Sequence, residues 1–369
     1  MLNPIHHVLP QRAHIARYLA LLMFVVIVFA SLYPFTGWSY SGRPLLEFLS
    51  YPLPYYFRLF DNLVNLLVYV PYGFALVLSF RPRWLGWIVA LLLSALTSFM
   101  VEFAQQFLPE RIASNLDMLY NVAGAFIGAT LAVSPLFRHA WHHIWRWRQR
   151  YFVANEPADY ALALMALWFI TQLNPSVPLF GVVVMPLGLP QPFISPIDNP
   201  ALFLFLLEAG GAMLHLIATL LFVTSFLSKR RYIARSVATV IILAGFLKML
   251  AAGMLLKPFA FFEWINSNVL AGLGAGFLLV WLITRFGRGV QLVVALLALL
   301  ATQVISALWP LSANELDMLT LFRWGYGHLV NMNALVEFLS RLWPLAAALC
   351  LIGALCNVRH MPSLQVKSK

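Results

Sequence analysis

Apolar residues run along this chain in long unbroken blocks, separated by short polar segments. A membrane-spanning helix needs about 17–25 such residues. Ten blocks meet or approach that length, roughly 18–36, 62–80, 84–108, 116–137, 158–174, 201–227, 236–256, 268–284, 290–309 and 335–355. The block at 158–174 is short and the one at 84–108 is long. In a bilayer each backbone polar group must be satisfied within its own helix or in a closed barrel, and runs this long suit helices. The pattern predicts an all-α, polytopic transmembrane helical bundle of about ten spans. Arg12 and Arg17 precede the first block as they would in a signal peptide. No small-residue cleavage site follows it, so it reads as a retained helix.

Composition agrees with this reading. Of 369 residues, 62% are hydrophobic and 10% charged, whereas soluble domains carry about 25% charged residues. A formal net charge of +11 would suggest nucleic acid in a soluble protein, but the distribution gives another cause. With the N terminus inside, seventeen Lys and Arg residues fall on interior segments and six on exterior ones, and ten of the thirteen acids lie outside or at the outer edge. This is the positive-inside pattern. It places both termini in the cytoplasm and removes the need for a nucleic-acid partner.

The basic interior segment 138–157 divides the chain into a four-span region, 1–137, and a six-span region, 158–369. Its aromatic and basic residues up to Tyr151 suit anionic headgroups. His139, His142 and His143 in it have near metal-ligand spacing, but interfacial placement is the favoured reading of them. Cys350 and Cys356, six residues apart in one block, give neither a disulfide framework nor a metal spacing. No metal or cofactor is expected. An internal similarity is also visible. Asn65 to Gly73 with the following Phe74 parallels Asn268 to Gly276 with Phe277, and Pro109 to Asp117 parallels Pro310 to Asp317. The second region would hold a degenerate repeat at about 258–356, with Gln303 in place of Glu102 and Ser312 in place of Arg111.

Polar residues in the first region recur at helical spacing. Asp61, Asn65, Tyr69 and Gly73 form one stripe; Ser94, Ser98, Glu102, Gln105 and Gln106 a second; Asp117, Asn121, Gly124 and Gly128 a third. Arg111 lies in the hairpin between the last two. If the stripes face one another, they form an outward-opening pocket of carboxylates, amides and one guanidinium. Bland roles compete. Ser114 and Asp117 fit a capping box, Arg111 fits a loop ion pair with Glu110 or Asp117, and the glycines fit helix packing. Glu102 is hardest to explain structurally. It lies about 10 Å inside its block at about 1.5 Å per residue, where a carboxylate must be paired or protonated. Arg111, the one cation of the hairpin, is the expected partner. Glu208, Lys248 and His215 form a second intramembrane polar set, read as an ion pair or a transport element.

The pattern Glu102-x-x-Gln105, Pro109-x-Arg111, Asp117-x-x-x-Asn121-x-x-Gly124-x-x-x-Gly128, with Asn65 and Pro71-x-Gly73-Phe74 before it, resembles the VanZ-like family of teicoplanin-resistance-type membrane proteins. The resemblance implies a multi-pass protein of the bacterial plasma membrane, linked to glycopeptide-type resistance or envelope biology. It places the family's polar positions on Glu102, Gln105, Arg111, Asp117 and Asn121. Three functions are open from sequence. The first is binding of membrane lipids or a lipid-linked envelope precursor through Glu102, Gln105, Arg111, Asp117, Asn121, Asp61 and Asn65. The second is a transporter or flippase with duplicated halves. The third is an outer-face hydrolase or transferase using Glu102 and Asp117, for which no nucleophile or metal motif is present.

Overall fold

The computed structural model of the chain describes residues 8–33, 35–40, 42, 44–53, 59–109, 111–173, 179–180, 196–262, 267–308 and 328–358. Eleven helices occur among them: α1 (Val8–Leu32), α2 (Leu59–Ser79), α3 (Arg83–Gln105), α4 (Asn115–Val133), α5 (Pro135–Tyr151), α6 (Glu156–Thr171), α7 (Pro200–Ser225), α8 (Ile233–Leu255), α9 (Ser267–Ile283), α10 (Arg288–Leu308) and α11 (His328–Cys356). The β-structure among the described residues is one isolated bridge, Phe152 to Leu227. Each of the ten apolar blocks coincides with a helix. Among the described residues, seven helices are long and apolar enough to cross a membrane, and α1 and α9 carry shorter apolar stretches. The protein is an all-α, multi-pass membrane protein.

Local chemistry sets the helix limits. The block at 116–137 breaks at Ser134, where Pro135 opens α5 and the Ser134 hydroxyl accepts from the Phe137 N–H at 3.1 Å. The segment read from sequence as a basic linker is therefore largely helical. Its Arg, His and Trp residues are helix-compatible once one face is polar. Asn155 caps α6 by accepting from the Ala158 N–H at 3.0 Å, and Asn199 caps α7 through the N–H groups of Ala201 and Leu202. The long block at 84–108 ends as helix at Gln105 because the chain turns there toward Pro109.

The chain divides into two compact units, Met1–Arg146 and Trp147–Lys369, with the boundary inside α5. In the first unit α2 packs on α1, α3 and α4. The core is rich in small residues, including Ala75, Ala90, Ala125, Ala129 and Ala132. Close helix approach requires this, because lipid provides no hydrophobic force between apolar helices and packing must supply the attraction. In the second unit α7 packs on α9 and α10, and α6 on α11. The Trp343 indole N–H of α11 donates to the Leu164 carbonyl of α6 at 2.8 Å. On the outside of the first unit, α3 leaves Ile88, Leu92, Leu96 and Met100 exposed along one face, the surface lipid would cover.

From the charge distribution the loop 109–115 is expected outside, and cysteine labelling checks this. On a background with Cys350 and Cys356 replaced by serine, Ile112→Cys, exposed in the hairpin, should react with an impermeant thiol reagent added to intact cells. Trp147→Cys, exposed on α5, should react only after permeabilisation. The opposite pattern would turn the hairpin end toward the cytoplasm.

Candidate functional site

Three glycines bring α2 and α4 into backbone contact. A Cβ at Gly124 would overlap the Leu66 carbonyl, one at Gly128 the Val70 carbonyl, and one at Gly73 the Ala125 carbonyl. That proximity sets the polar residues of the two helices against each other. The Asn65 side chain lies against the Asp117 carboxylate, and Asp61 lies within electrostatic reach of it.

From α3, Glu102 enters the same region at 2% exposure. Its Oε2 accepts from the Ser114 N–H at 2.8 Å. Ser114 in turn caps α4, its hydroxyl accepting from the Leu116 N–H at 3.2 Å. In a capping box the residue at Asp117 would reach back to the Ser114 N–H. Here Glu102 fills that place, and Asp117 is directed to Asn65. Deeper in the bundle, Asn121 Nδ2 donates to the Ser98 hydroxyl at 2.9 Å. The Tyr69 hydroxyl sits beside Ser98 and Glu102 but makes no hydrogen bond of normal geometry. The Asn62 amide, the Ser94 hydroxyl and Asn121 Oδ1 are also buried without a partner.

Of the seven residues singled out from sequence, Asp61, Asn65, Glu102, Asp117 and Asn121 converge. Gln105 and Arg111 point elsewhere. Gln105 Nε2 donates to the Ser31 carbonyl at 3.0 Å. Arg111 Nη2 donates to the carbonyls of Ala30 and Tyr33 at 3.4 and 3.3 Å. These carbonyls end α1, where the last turn has acceptors without helical donors and carries a partial negative charge. The direct Arg111–Glu102 contact expected from sequence is thus replaced by the Ser114 amide on Glu102, and Arg111 acts on Glu102 only through space. A backbone donor 12 residues along the chain is closer at hand than a side chain engaged by a third helix.

An apolar cleft of about 380 Å³ opens between α1, α2 and α3, lined by Phe24, Leu32, Leu96 and Met100 among others. Its polar wall is a buried hydroxyl pair, Tyr72 and Thr97, 3.1 Å apart. The Tyr72 ring meets Tyr69 edge-on at 5.9 Å, so the cleft and the polar cluster share a wall. Asn62, Tyr72 and Thr97 were missed in the sequence. Asn62 was legible, since it precedes Asn65 and Tyr69 by three and seven residues on a helix.

In the second unit, Glu208 and Lys248 are both buried. Asn268 Nδ2 donates to Glu208 Oε2 at 2.6 Å, and His215 lies seven residues beyond Glu208 on α7. Asn268 is the residue that the internal similarity aligns with Asn65. Each unit therefore has an asparagine of that segment set against a carboxylate on the helix it packs against. Pro310 to Asp317 lie outside the described residues. Among the described residues no three His, Cys, Asp or Glu side chains are grouped as a metal ion would require.

Residues 16–138 match the family model described as VanZ/LLP1. No curated protein and no solved structure matches the chain.

Proposed function

We propose that the first unit, the VanZ-like part of the chain, is an outward-facing receptor for an envelope amphiphile, such as a lipid-linked precursor, in a bacterial plasma membrane. One observation carries the reading. Asn62, Tyr69, Ser94 and Asn121 bury polar atoms without partners, on the same three helices, α2, α3 and α4, that carry Asp61, Glu102 and Asp117. Each such atom costs about 1–3 kcal/mol when unmatched, which favours a site matched by something that enters it. A head group bearing hydroxyl, amide or amine donors suits three carboxylates and two free amide oxygens. Its alkyl chain would lie in the cleft against Leu96 and Met100. Arg111 and Gln105 hold the end of α1, which forms one edge of that cleft, so they position the site and leave head-group contact to the cluster. Under this reading the protein contributes to glycopeptide-type resistance or envelope maintenance by sequestering or presenting that amphiphile.

Photo-crosslinking tests it. A benzophenone amino acid at Leu96, in the full-length protein in cells, should capture a polyprenyl-linked saccharide identified by mass spectrometry. Asp117→Asn should remove that adduct and leave adducts with bulk phospholipid. Capture of bulk phospholipid alone, insensitive to Asp117, would reject the receptor. A second reading, a transporter or flippase, is favoured by the recurrence of the asparagine–carboxylate pair at Asn268 and Glu208 and by the buried Lys248. It requires that Glu208→Gln stop movement of a fluorescent polyprenyl lipid across proteoliposomes while Glu102→Gln does the same.

A further inference from the structure

In the second unit, two guanidinium groups converge on one phenol. Arg231 Nη2 donates to the Tyr232 hydroxyl at 3.0 Å, and its charged carbon stands 5.0 Å from the centre of that ring. The Arg150 guanidinium lies within electrostatic reach of the same hydroxyl. The scaffold beneath is fastened backbone to backbone. The Ser228 N–H donates to the Tyr151 carbonyl at 2.8 Å, the Val153 N–H to the Phe226 carbonyl at 2.9 Å, and the Ser228 hydroxyl to the Arg150 carbonyl at 2.7 Å. The Tyr151 and Tyr232 rings lie 4.4 Å apart. Together these contacts lock the α5–α6 turn to the α7–α8 turn and leave Arg150 and Arg231 exposed on one side.

A phenol oxygen can accept from two donors, but it does not neutralise two cations. Among the described residues neither arginine pairs with a carboxylate. The nearby Asp159 is taken by Arg148 at 2.5 Å. We infer that Arg150, Arg231 and Tyr232 form a binding site for the phosphodiester of an anionic membrane lipid. Two guanidinium forks suit phosphate oxygens, each presenting paired N–H donors. The place points to lipid over a free anion. α7 ends at Ser225 and α8 begins at Ile233, so the site lies where two spans leave the bilayer. Trp147, half-exposed beside it, packs on Tyr151 and Phe152 at 5.5 and 5.6 Å, as aromatic residues do at headgroup level. The charge distribution assigns this face to the cytoplasmic leaflet, where anionic lipids concentrate. The site is separate from the hairpin-end cluster and does not depend on its function.

Native mass spectrometry of the full-length protein in detergent tests the assignment, with phosphatidylglycerol, phosphatidylcholine and inorganic phosphate as probes. Phosphatidylglycerol should bind more tightly than phosphatidylcholine. Arg150→Gln with Arg231→Gln should weaken it about thirtyfold, roughly fivefold for each charge. Tyr232→Phe, which removes the shared acceptor, should weaken it less. Arg235→Gln, an exposed cation on the same end of α8, should leave it unchanged. If the double variant does not accumulate, Arg150→Lys with Arg231→Lys keeps the charge without the fork and should show partial loss. Equal binding of the two lipids, retention of phosphatidylglycerol by the charge-removing pair, or its displacement by equimolar inorganic phosphate would each overturn the assignment.

Discussion

Gly128→Val is expected to break the first unit apart. A Cβ at Gly128 meets the Val70 carbonyl oxygen and carbon and the Phe74 amide nitrogen. These are backbone atoms of a neighbouring helix, so no rotamer change relieves the overlap. Ordinary overpacking of a core costs about 1–3 kcal/mol, and a branched side chain set against backbone should exceed it. At about 2–4 °C per kcal/mol for domains of 150–250 residues, the apparent Tm in detergent should fall by roughly 10 °C or more, or the protein should fail to accumulate. Gly245→Val and Gly274→Val are the controls, since a Cβ at either position meets nothing within 4 Å. They should change Tm by a small fraction of that amount. A Gly128 variant as stable as the controls would show that α2 and α4 do not need backbone contact, and with it would go the reason Asn65 meets Asp117.

Glu102→Gln is expected to separate structure from function. Glutamine keeps an oxygen that can accept from the Ser114 N–H, so the hairpin should hold and protein abundance and Tm should stay near wild type. The carboxyl group, however, is lost from the cluster of Asp61, Glu102 and Asp117. If that carboxyl meets a polar group of the ligand that an amide cannot match, affinity should drop by roughly tenfold, the upper range for one hydrogen bond. Capture at position 96 and any envelope or glycopeptide-tolerance phenotype should fall with it. Glu102→Leu should behave differently. It leaves the Ser114 N–H buried without an acceptor and should destabilise the protein by about 1–3 kcal/mol. The second unit already carries glutamine at Gln303, half-buried on α10, and Gln303→Ala should change neither quantity much. Equal losses from the Glu102 and Gln303 variants would favour a transporter with two working halves over a receptor with one site.

The residue types by themselves settled a good deal. Apolar blocks of span length have one stable form in a bilayer, because backbone groups there must bond within their own helix; hence the ten blocks all became helices. Polar residues at four-residue spacing marked the faces of α2, α3 and α4, since that spacing places side chains above one another whatever surrounds them. Ser114 was legible as a cap for the same local reason. Glu102, too deep to be a surface carboxylate, was legible as a residue needing a partner.

Which partner each group took was decided by the tertiary structure. Arg111 and Glu102 are near in sequence and opposite in charge, yet Arg111 turned to the carbonyls of Ala30 and Tyr33. The reason lies about 80 residues away, in a helix end whose unsatisfied acceptors no local pattern reveals. Asn62 adjoins Asp61 in sequence, and only the packing of α2 buries it. The charged run at 138–151 read as a linker because charge is usually taken as a sign of loop, whereas Pro135 and the Ser134 cap start a helix there whose charges need only one face. The convergence of Arg150 and Arg231 on Tyr232 depends on a bridge between two turns about 75 residues apart in the chain, Phe152 to Leu227. Local spacing fixes what a side chain can do and which way it faces on its own helix; long-range packing alone chooses among the donors and acceptors within its reach.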